Sequence, residues 1–136
     1  MSEKNVEINQ NPGSMTENLG IEILSVEAHR VTARMPVDHR TCQPFGALNG
    51  GASLALAEII SGMGSALSCK EDEFPCGVQV SANHIKMAPV GMTVTGVATC
   101  LHRGRRTHVW NVDVLNPDGE LISTARVVNQ IVKKPF

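Results

Sequence analysis

The stretch that decides the fold of this chain runs from Gly50 to Cys69 and reads GGASLALAEIISGMGSALSC. Its apolar residues fall on every side of a helix, and a helix that is apolar all round is normally buried. Its four glycines lower its stability as an isolated helix, but they make sense where other backbones must approach it closely. Asn49 precedes the stretch and can serve as its N-cap.

Segments of strand character lie on both sides of this helix. They cover residues 21–27 and 30–35 before it, and 77–87, 93–101, 107–115 and 121–132 after it. Turn-forming residues join the last four, at 89–91, 103–105 and 116–119, with spacing typical of antiparallel hairpins. This order predicts an α+β fold with one antiparallel sheet wrapped around one long helix. Such a sheet covers only part of the helix, so we expect a second subunit to cover the rest.

The length and charge of the chain narrow its class. Its 136 residues fit one domain, which we place at 15–136, after a flexible polar segment over 1–14. A formal net charge of -1 offers no broad basic surface to nucleic acid. The N-terminus lacks an apolar signal core, and no apolar run approaches the ~20 residues that cross a bilayer. We therefore expect a cytoplasmic protein that binds neither nucleic acid nor a membrane.

Neither the cysteines nor the histidines are spaced as metal ligands. The four cysteines form no CxxC pair, and no two of the five histidines have a metal-ligand spacing. Scattered cysteines of this kind are typical of free thiols in a reducing compartment. We therefore expect no metal site and no separate cofactor.

Between Thr41 and Cys69 the only ionisable side chain other than the thiols is Glu58, in the middle of the apolar helix. Burial of an unpaired carboxylate is costly, so Glu58 must be hydrogen-bonded, partly protonated, or open to a functional cavity. It could be a structural carboxylate satisfied by backbone or by a partner chain. Because carboxylates in such surroundings cluster at functional sites, Glu58 is the first catalytic candidate.

The entrance of the helix is the second candidate feature. Free N–H groups at a helix N-terminus, with the positive end of its dipole, can stabilise an oxyanion. Gly50 and Gly51 would let a substrate carbonyl approach without a Cβ in the way, although they could serve tight packing alone. Gly50 and Glu58 are ~12 Å apart along the helix axis. One small reacting group would reach both more easily if they came from different subunits.

Five short motifs resemble those of bacterial hotdog thioesterases of the 4-hydroxybenzoyl-CoA thioesterase type, in the Arthrobacter-like or PaaI-type branch. They are PVDHRTCQPFG at 36–46, LNGGAS at 48–53, AE at 57–58, ANH at 82–84 and LHRGR at 101–105. The resemblance includes the thioesterases for 1,4-dihydroxy-2-naphthoyl-CoA and the proofreading thioesterases of enterobactin synthesis. It implies the hotdog fold, a homodimer or homotetramer with its site at the dimer interface, and hydrolysis of acyl-CoA or aryl-CoA thioesters. Coenzyme A would then be part of the substrate.

The resemblance also implies roles for individual residues. The catalytic acid falls on Glu58, as a nucleophile or as a general base that activates water. The oxyanion N–H falls on Gly50, and the glutamine that orients the carbonyl or the water falls on Gln43.

Two positions depart from the family pattern. The family usually has histidine where this chain has Asn49, which can cap the helix and donate a hydrogen bond but cannot titrate near neutral pH. It often places Ser or Thr one turn after the glutamate, where this chain has Gly62. We carry that water-positioning role over to Ser65, seven residues after Glu58.

Further side chains are candidates for substrate binding. Arg103, Arg105 and Arg106 cluster around Gly104, and guanidinium groups suit the phosphates of coenzyme A, although they could be ordinary solvated charges. The remaining candidates could each have a structural role instead, and they are Phe45, Gly51, Met63 and His84 near the acyl group and Lys86 near the nucleotide.

Two other functions compete with thioester hydrolysis. An enoyl-CoA hydratase on the same fold would need an Asp and a His together near the helix, and the helix region has neither. A non-catalytic protein that binds or senses acyl-CoA is compatible with Asn49 in place of histidine. However, no helix-turn-helix or basic DNA-reading segment is attached to the chain.

Overall fold

The computed structural model describes residues 12–135. The elements, in chain order, are helix α1 (Met15–Asn18), strands β1 (Glu22–Val26) and β2 (Arg30–Pro36), helix α2 (Gly50–Ala66), and strands β3 (Glu73–His84), β4 (Thr93–Arg103), β5 (Thr107–Leu115) and β6 (Leu121–Lys133). Most of the predicted flexible segment, residues 1–11, lies outside the described residues. Ser14, near its end, is the N-cap of α1.

The six strands form one antiparallel sheet with the order β1-β2-β4-β5-β6-β3. The predicted hairpins at 103–105 and 116–119 are confirmed, since β4 pairs with β5 and β5 with β6. The predicted hairpin at 89–91 is wrong, because β3 pairs with β6 and lies at the edge of the sheet. The segment after β3 instead bonds to the loop before α2, where Leu48 N donates to the Ala88 carbonyl at 2.8 Å.

Helix α2 begins where its capping chemistry predicts. The Asn49 side chain accepts from the Gly51 N–H at 2.8 Å, which confirms Asn49 as the N-cap. The helix ends at Ala66, three residues before the predicted end at Cys69. Beyond it the N–H groups bond three residues back, as from Cys69 N to the Ala66 carbonyl at 3.1 Å, so the last turn tightens.

The buried side of α2 packs on one face of the sheet, where small residues permit a close approach. Leu56 and Ile60 are fully buried over Gly96 of β4, where an added Cβ would lie 3.0 Å from the Leu56 side chain. Gly64 lies against the ring of Trp110, which an added Cβ would overlap. Full burial of a Leu or Ile side chain contributes about 1.5–3 kcal/mol, so this contact anchors the helix to the sheet.

The sheet covers α2 on one side only. Gly51 and Glu58 are exposed, and Leu54, Ala55 and Ile59 between and beside them are half-buried. This partial cover agrees with the predicted architecture of a sheet that wraps a helix without enclosing it. An apolar helix face therefore remains open in a single chain.

Three further findings concern residues 12–135 alone. None of the helices there is long and apolar enough to cross a membrane. The four cysteines are all unpaired. No three His, Cys, Asp or Glu side chains come together in a group that could hold a metal ion.

Candidate active site

Two cavities next to α2 contain most of the predicted site residues. The first, which we call the Glu58 cavity, has a volume of about 520 Å³, and its lining includes Gly51, Ile59, Gly62, Gly77, Asn129 and Glu58 itself. The second, which we call the Gly50 cavity, has a volume of about 270 Å³, and its lining includes Gln43, Ser53, His84, Lys86 and Gly50 itself. Neither cavity contains both Gly50 and Glu58.

Glu58 is open to its cavity rather than buried. It lies on the uncovered side of α2, above Gly77 of β3, where an added Cβ would be only 2.6 Å from Glu58 Oε1. Its carboxylate makes no hydrogen bond or ion pair with any residue that the structure describes. The sequence analysis allowed a carboxylate that is open to a cavity, and the structure shows this arrangement. The absence of a side chain at Gly77 leaves space for the Glu58 carboxylate.

Asn129 is a residue of this cavity that the sequence analysis did not identify. In the register of the sheet it lies opposite Gly77 of β3 and opposite His108 of β5. Its Oδ1 is 3.5 Å from the point where a Gly77 Cβ would project, beside Glu58 Oε1. A signal was present in the sequence, because Asn129 continues the inward-facing positions of Ala125 and Val127 in β6.

Ser65 does not line the Glu58 cavity. Its hydroxyl is fully buried and accepts hydrogen bonds from Trp110 Nε1 at 2.9 Å and from Asn129 Nδ2 at 3.1 Å. It also lies 2.8 Å from Nδ1 of the buried His108. The predicted direct contact between Ser65 and a catalytic water has no basis in this geometry, because β5 and β6 cover this part of the helix. Ser65 reaches the cavity only through Asn129.

The N-terminus of α2 leaves one N–H group available at Gly50. The Gly51 N–H bonds to the Asn49 side chain, and the N–H groups of Ala52 and Ser53 bond to the Asn49 carbonyl at 3.0 and 3.4 Å. The Gly50 N–H has no acceptor within residues 12–135. It is therefore free to donate to a substrate carbonyl, whereas the oxygen of the Asn49 side chain is already used as the cap.

Three other predicted residues surround Gly50. His84 lies close enough that a Cβ at residue 50 would be 2.5 Å from its Nε2, and its Nδ1 is 3.0 Å from Ser123 Oγ. Gln43 holds the loop, because its Oε1 accepts from the Phe45 N–H, and its amide nitrogen makes no bond within the described chain. Lys86 forms an ion pair with Glu120 at the rim of the cavity.

The structure does not bring Phe45 or Met63 into either cavity. Phe45 is 88% exposed on the loop before α2. Met63 packs against the core formed by α2 and the sheet. Gly51, in contrast, lines the Glu58 cavity. Only Gly51 of these three is placed to touch a substrate in a single chain.

The turn between β4 and β5 contains one arginine that bonds to other parts of the chain and two that do not. The guanidinium group of Arg103 donates to Ser68 Oγ and to the Ala28 carbonyl, so it ties the end of α2 to the turn after β1. Gly104 closes the turn through its N–H, which donates to the Thr107 carbonyl at 2.9 Å. Arg105 and Arg106 are exposed, and their side chains contact no partner among the described residues. These two are the guanidinium groups that remain free for a phosphate.

Comparisons with known proteins show which chains this one is similar to. The family model described as the thioesterase superfamily matches residues 45–123. The 1,4-dihydroxy-2-naphthoyl-CoA hydrolase of Listeria monocytogenes is 35% identical, over 88% of this chain and 97% of its own. The proofreading thioesterase EntH of Cronobacter turicensis is 37% identical, over 88% of this chain and 87% of its own.

A solved structure extends the similarity to the whole fold. The crystal structure of a thioesterase from Haemophilus influenzae superimposes with a TM-score of 0.86 at 35% identity. The match covers 98% of this chain and 92% of that chain. The hotdog fold that the sequence motifs imply is therefore confirmed by a solved structure as well as by relatives.

Proposed function

Because the chain belongs to the thioesterase superfamily, we propose that it hydrolyses acyl-CoA or aryl-CoA thioesters to the free acid and coenzyme A. The observation that carries this proposal is the unpaired carboxylate of Glu58, which faces an open cavity. The two relatives named above, a hydrolase of a CoA thioester and a proofreading thioesterase, support the same chemistry.

The chemistry assigns one task to each end of the candidate site. Glu58 attacks the thioester carbonyl as a nucleophile, or takes a proton from the water that attacks it. The free N–H of Gly50 stabilises the negative charge that develops on the carbonyl oxygen. Gln43, with its amide nitrogen unbonded beside Gly50, orients the same carbonyl. Hydrolysis of a thioester then needs no cofactor beyond the coenzyme A that the substrate carries.

We further propose that the complete site forms between two copies of the chain, in a homodimer or homotetramer. Gly50 and Glu58 are eight residues apart on one helix and line different cavities, so one thioester carbonyl does not reach both in a single chain. The half-buried face with Leu54, Ala55 and Ile59 is a suitable contact surface. Glu58 of one protomer would then act with Gly50 of the partner subunit.

The two ends of the substrate meet different surroundings. We propose that Arg105 and Arg106 bind the phosphates of coenzyme A, because they are exposed and unpaired, and that Arg103 keeps its structural bonds.

The four unpaired cysteines support a cytoplasmic location, where thiols stay reduced. We also propose that the chain belongs to the PaaI-type branch that its motifs resemble, with either aryl or medium-chain aliphatic acyl groups as substrates.

The test is thiol release from a panel of aryl-CoA and acyl-CoA thioesters, with the wild type beside Glu58→Ala. The matched control is Glu71→Ala, which removes an exposed carboxylate outside both cavities. We expect turnover by the wild type and by the control, and a loss of orders of magnitude in Glu58→Ala. A wild type that binds these thioesters in calorimetry but releases no thiol would instead be an acyl-CoA sensor.

A further inference from the structure

We propose that Asn129 is a water-positioning residue, whose side-chain oxygen holds the attacking water beside Glu58. This inference rests on the proposed thioesterase function. It adds a residue to the site and selects between the two roles of Glu58, because a water held between both groups makes Glu58 a general base.

Asn129 and Glu58 face the same part of the cavity. Glu58 Oε1 and Asn129 Oδ1 lie 2.6 and 3.5 Å from the position that a Cβ on Gly77 would take, so both oxygens lie next to this glycine. Both residues line the Glu58 cavity. A single water in the cavity between the two oxygens can donate one hydrogen to each, which leaves its lone pairs for a thioester carbonyl that enters the open part of the cavity.

The hydrogen-bond network around Ser65 is consistent with one orientation of the Asn129 amide. The structure places Nδ2 of this amide 3.1 Å from Ser65 Oγ. Burial lowers the pKa of His108, which favours a neutral ring with a single N–H. With that proton on Nε2, its Nδ1 accepts the hydroxyl proton of Ser65 over 2.8 Å.

The consequence for Asn129 follows from the lone pairs of Ser65. The Ser65 hydroxyl, having donated to His108, can only accept from its two remaining neighbours. Trp110 Nε1 occupies one lone pair and Asn129 Nδ2 the other, at 2.9 and 3.1 Å. The amide nitrogen of Asn129 is therefore held inside the core, and its oxygen faces Glu58.

The Asn129 oxygen is accessible from the cavity, whereas its nitrogen is not. Asn129 is only 1% exposed as a whole residue, and its Nδ2 bonds to Ser65 inside the core. Its Oδ1 accepts no hydrogen bond from the chain between residues 12 and 135, and the residue lines the Glu58 cavity. A bound water in the cavity is the donor that this oxygen can reach.

The water gives one proton to the Glu58 carboxylate while its oxygen bonds to the thioester carbon, and the carbonyl electron pair moves to the carbonyl oxygen. When the carbonyl reforms, the carbon–sulfur bond breaks, and the proton on Glu58 passes to the departing thiolate. The products are the free acid, the thiol of coenzyme A and an unchanged Glu58.

Asn129→Ala and the matched control Gln130→Ala test the role of the amide. Gln130 is the next residue of β6 and its side chain is exposed. We expect Asn129→Ala to lower kcat by about 10²-fold through misplacement of the water, with KM within a few-fold of the wild type. Gln130→Ala should retain both constants. A kcat of Asn129→Ala equal to that of the control would overturn the inference and leave the proposed function intact.

Asn129→Asp reports on the same contact even if Asn129→Ala folds poorly. Among the described lining residues Glu58 is the only ionisable group, so a second carboxylate there would raise the pKa of Glu58. We expect the acid limb of the kcat/KM profile to move up by about one pH unit or more, relative to wild type and Gln130→Ala. An unmoved limb in a folded, active variant would mean that residue 129 does not face Glu58.

A single turnover in heavy-oxygen water tests the general-base route itself. Direct attack by water places the label in the acid from the first turnover. Unlabelled acid in that turnover would show that an oxygen of Glu58 was transferred, which overturns the inference but not the thioesterase activity. A wild type that releases no thiol from any thioester would overturn both.

Discussion

Two polar residues of α2 lie in opposite surroundings although they are only seven residues apart and fall near the same helical face. Ser65 is fully buried by β5 and β6, and three side chains use its hydroxyl. Glu58 is exposed over Gly77 and has no partner among the described residues. The covered end of the helix thus contributes stability, and the open end offers an unpaired group to a ligand. The comparison predicts that substitutions at the two ends change different measurable properties.

The largest effect should come from Glu58→Gln, which keeps the shape of the side chain and removes its charge and basicity. We expect kcat for thioester hydrolysis to fall by about 10²–10⁴-fold, the usual contribution of a general base. The melting temperature should stay close to that of the wild type, because the exposed carboxylate has no partner to lose. A large drop in thermal stability would show that Glu58 belongs with Ser65 as a structural group.

Ser65→Ala should produce the reverse pattern. Without the hydroxyl, the N–H of Trp110 and the amide nitrogen of Asn129 lose their acceptor inside the core. Each buried donor left without a partner costs about 1–3 kcal/mol, so we expect the free energy of unfolding to fall by about 2–4 kcal/mol in urea titrations. Activity at a temperature where the variant is folded should fall far less than in Glu58→Gln. Equal losses of kcat in the two variants would show that the two ends of α2 do not have separate roles in stability and in activity.

The sequence predicted those parts of the molecule that depend on local chemistry. The start of α2 is correct because a cap is a contact between Asn49 and a residue two positions away. The hairpin at 89–91 is wrong because turn residues show where a chain bends, but not which strand it returns to. β3 pairs with β6 instead, and the segment after β3 bonds to the loop before α2, as between Leu48 and Ala88.

In the candidate site too, the sequence showed local features but not contacts between distant parts of the chain. Glu58 and Gly50 stand out in the sequence because one is the only charge of an apolar helix and the other begins it. Asn129 did not, because its position depends on the register of β6 with β3 and with β5. Arg103 looked like its neighbours in the turn, and its long-range bonds to Ser68 Oγ and to the Ala28 carbonyl set it apart.

Gly77→Ala tests whether the position of the Glu58 carboxylate, at the exposed end of α2, matters for activity. The new methyl group would lie 2.6 Å from Glu58 Oε1, so the carboxylate must move, and the flexible end of this side chain can do so at little cost in stability. We expect kcat to fall by about tenfold, because small displacements of a catalytic group are costly. The measurement is kcat together with the melting temperature. Gly119→Ala is not a suitable control, because Gly119 has a positive φ. Gly51→Ala, at another position of the same cavity, distinguishes displacement of Glu58 from general filling of the cavity.

The smallest effect should separate two glycines of α2 that the sequence alone cannot distinguish. Gly62 lines the Glu58 cavity, and an added Cβ there would meet no atom within 4 Å, whereas at Gly64 it would overlap the Trp110 ring. Since alanine is a better helix former than glycine, Gly62→Ala should raise the free energy of unfolding by up to about 1 kcal/mol. Gly64→Ala should lower it by about 1–3 kcal/mol through overpacking. A loss of stability in Gly62→Ala would mean that a second subunit covers this part of α2. The exposed part of the helix would then be smaller than a single chain shows.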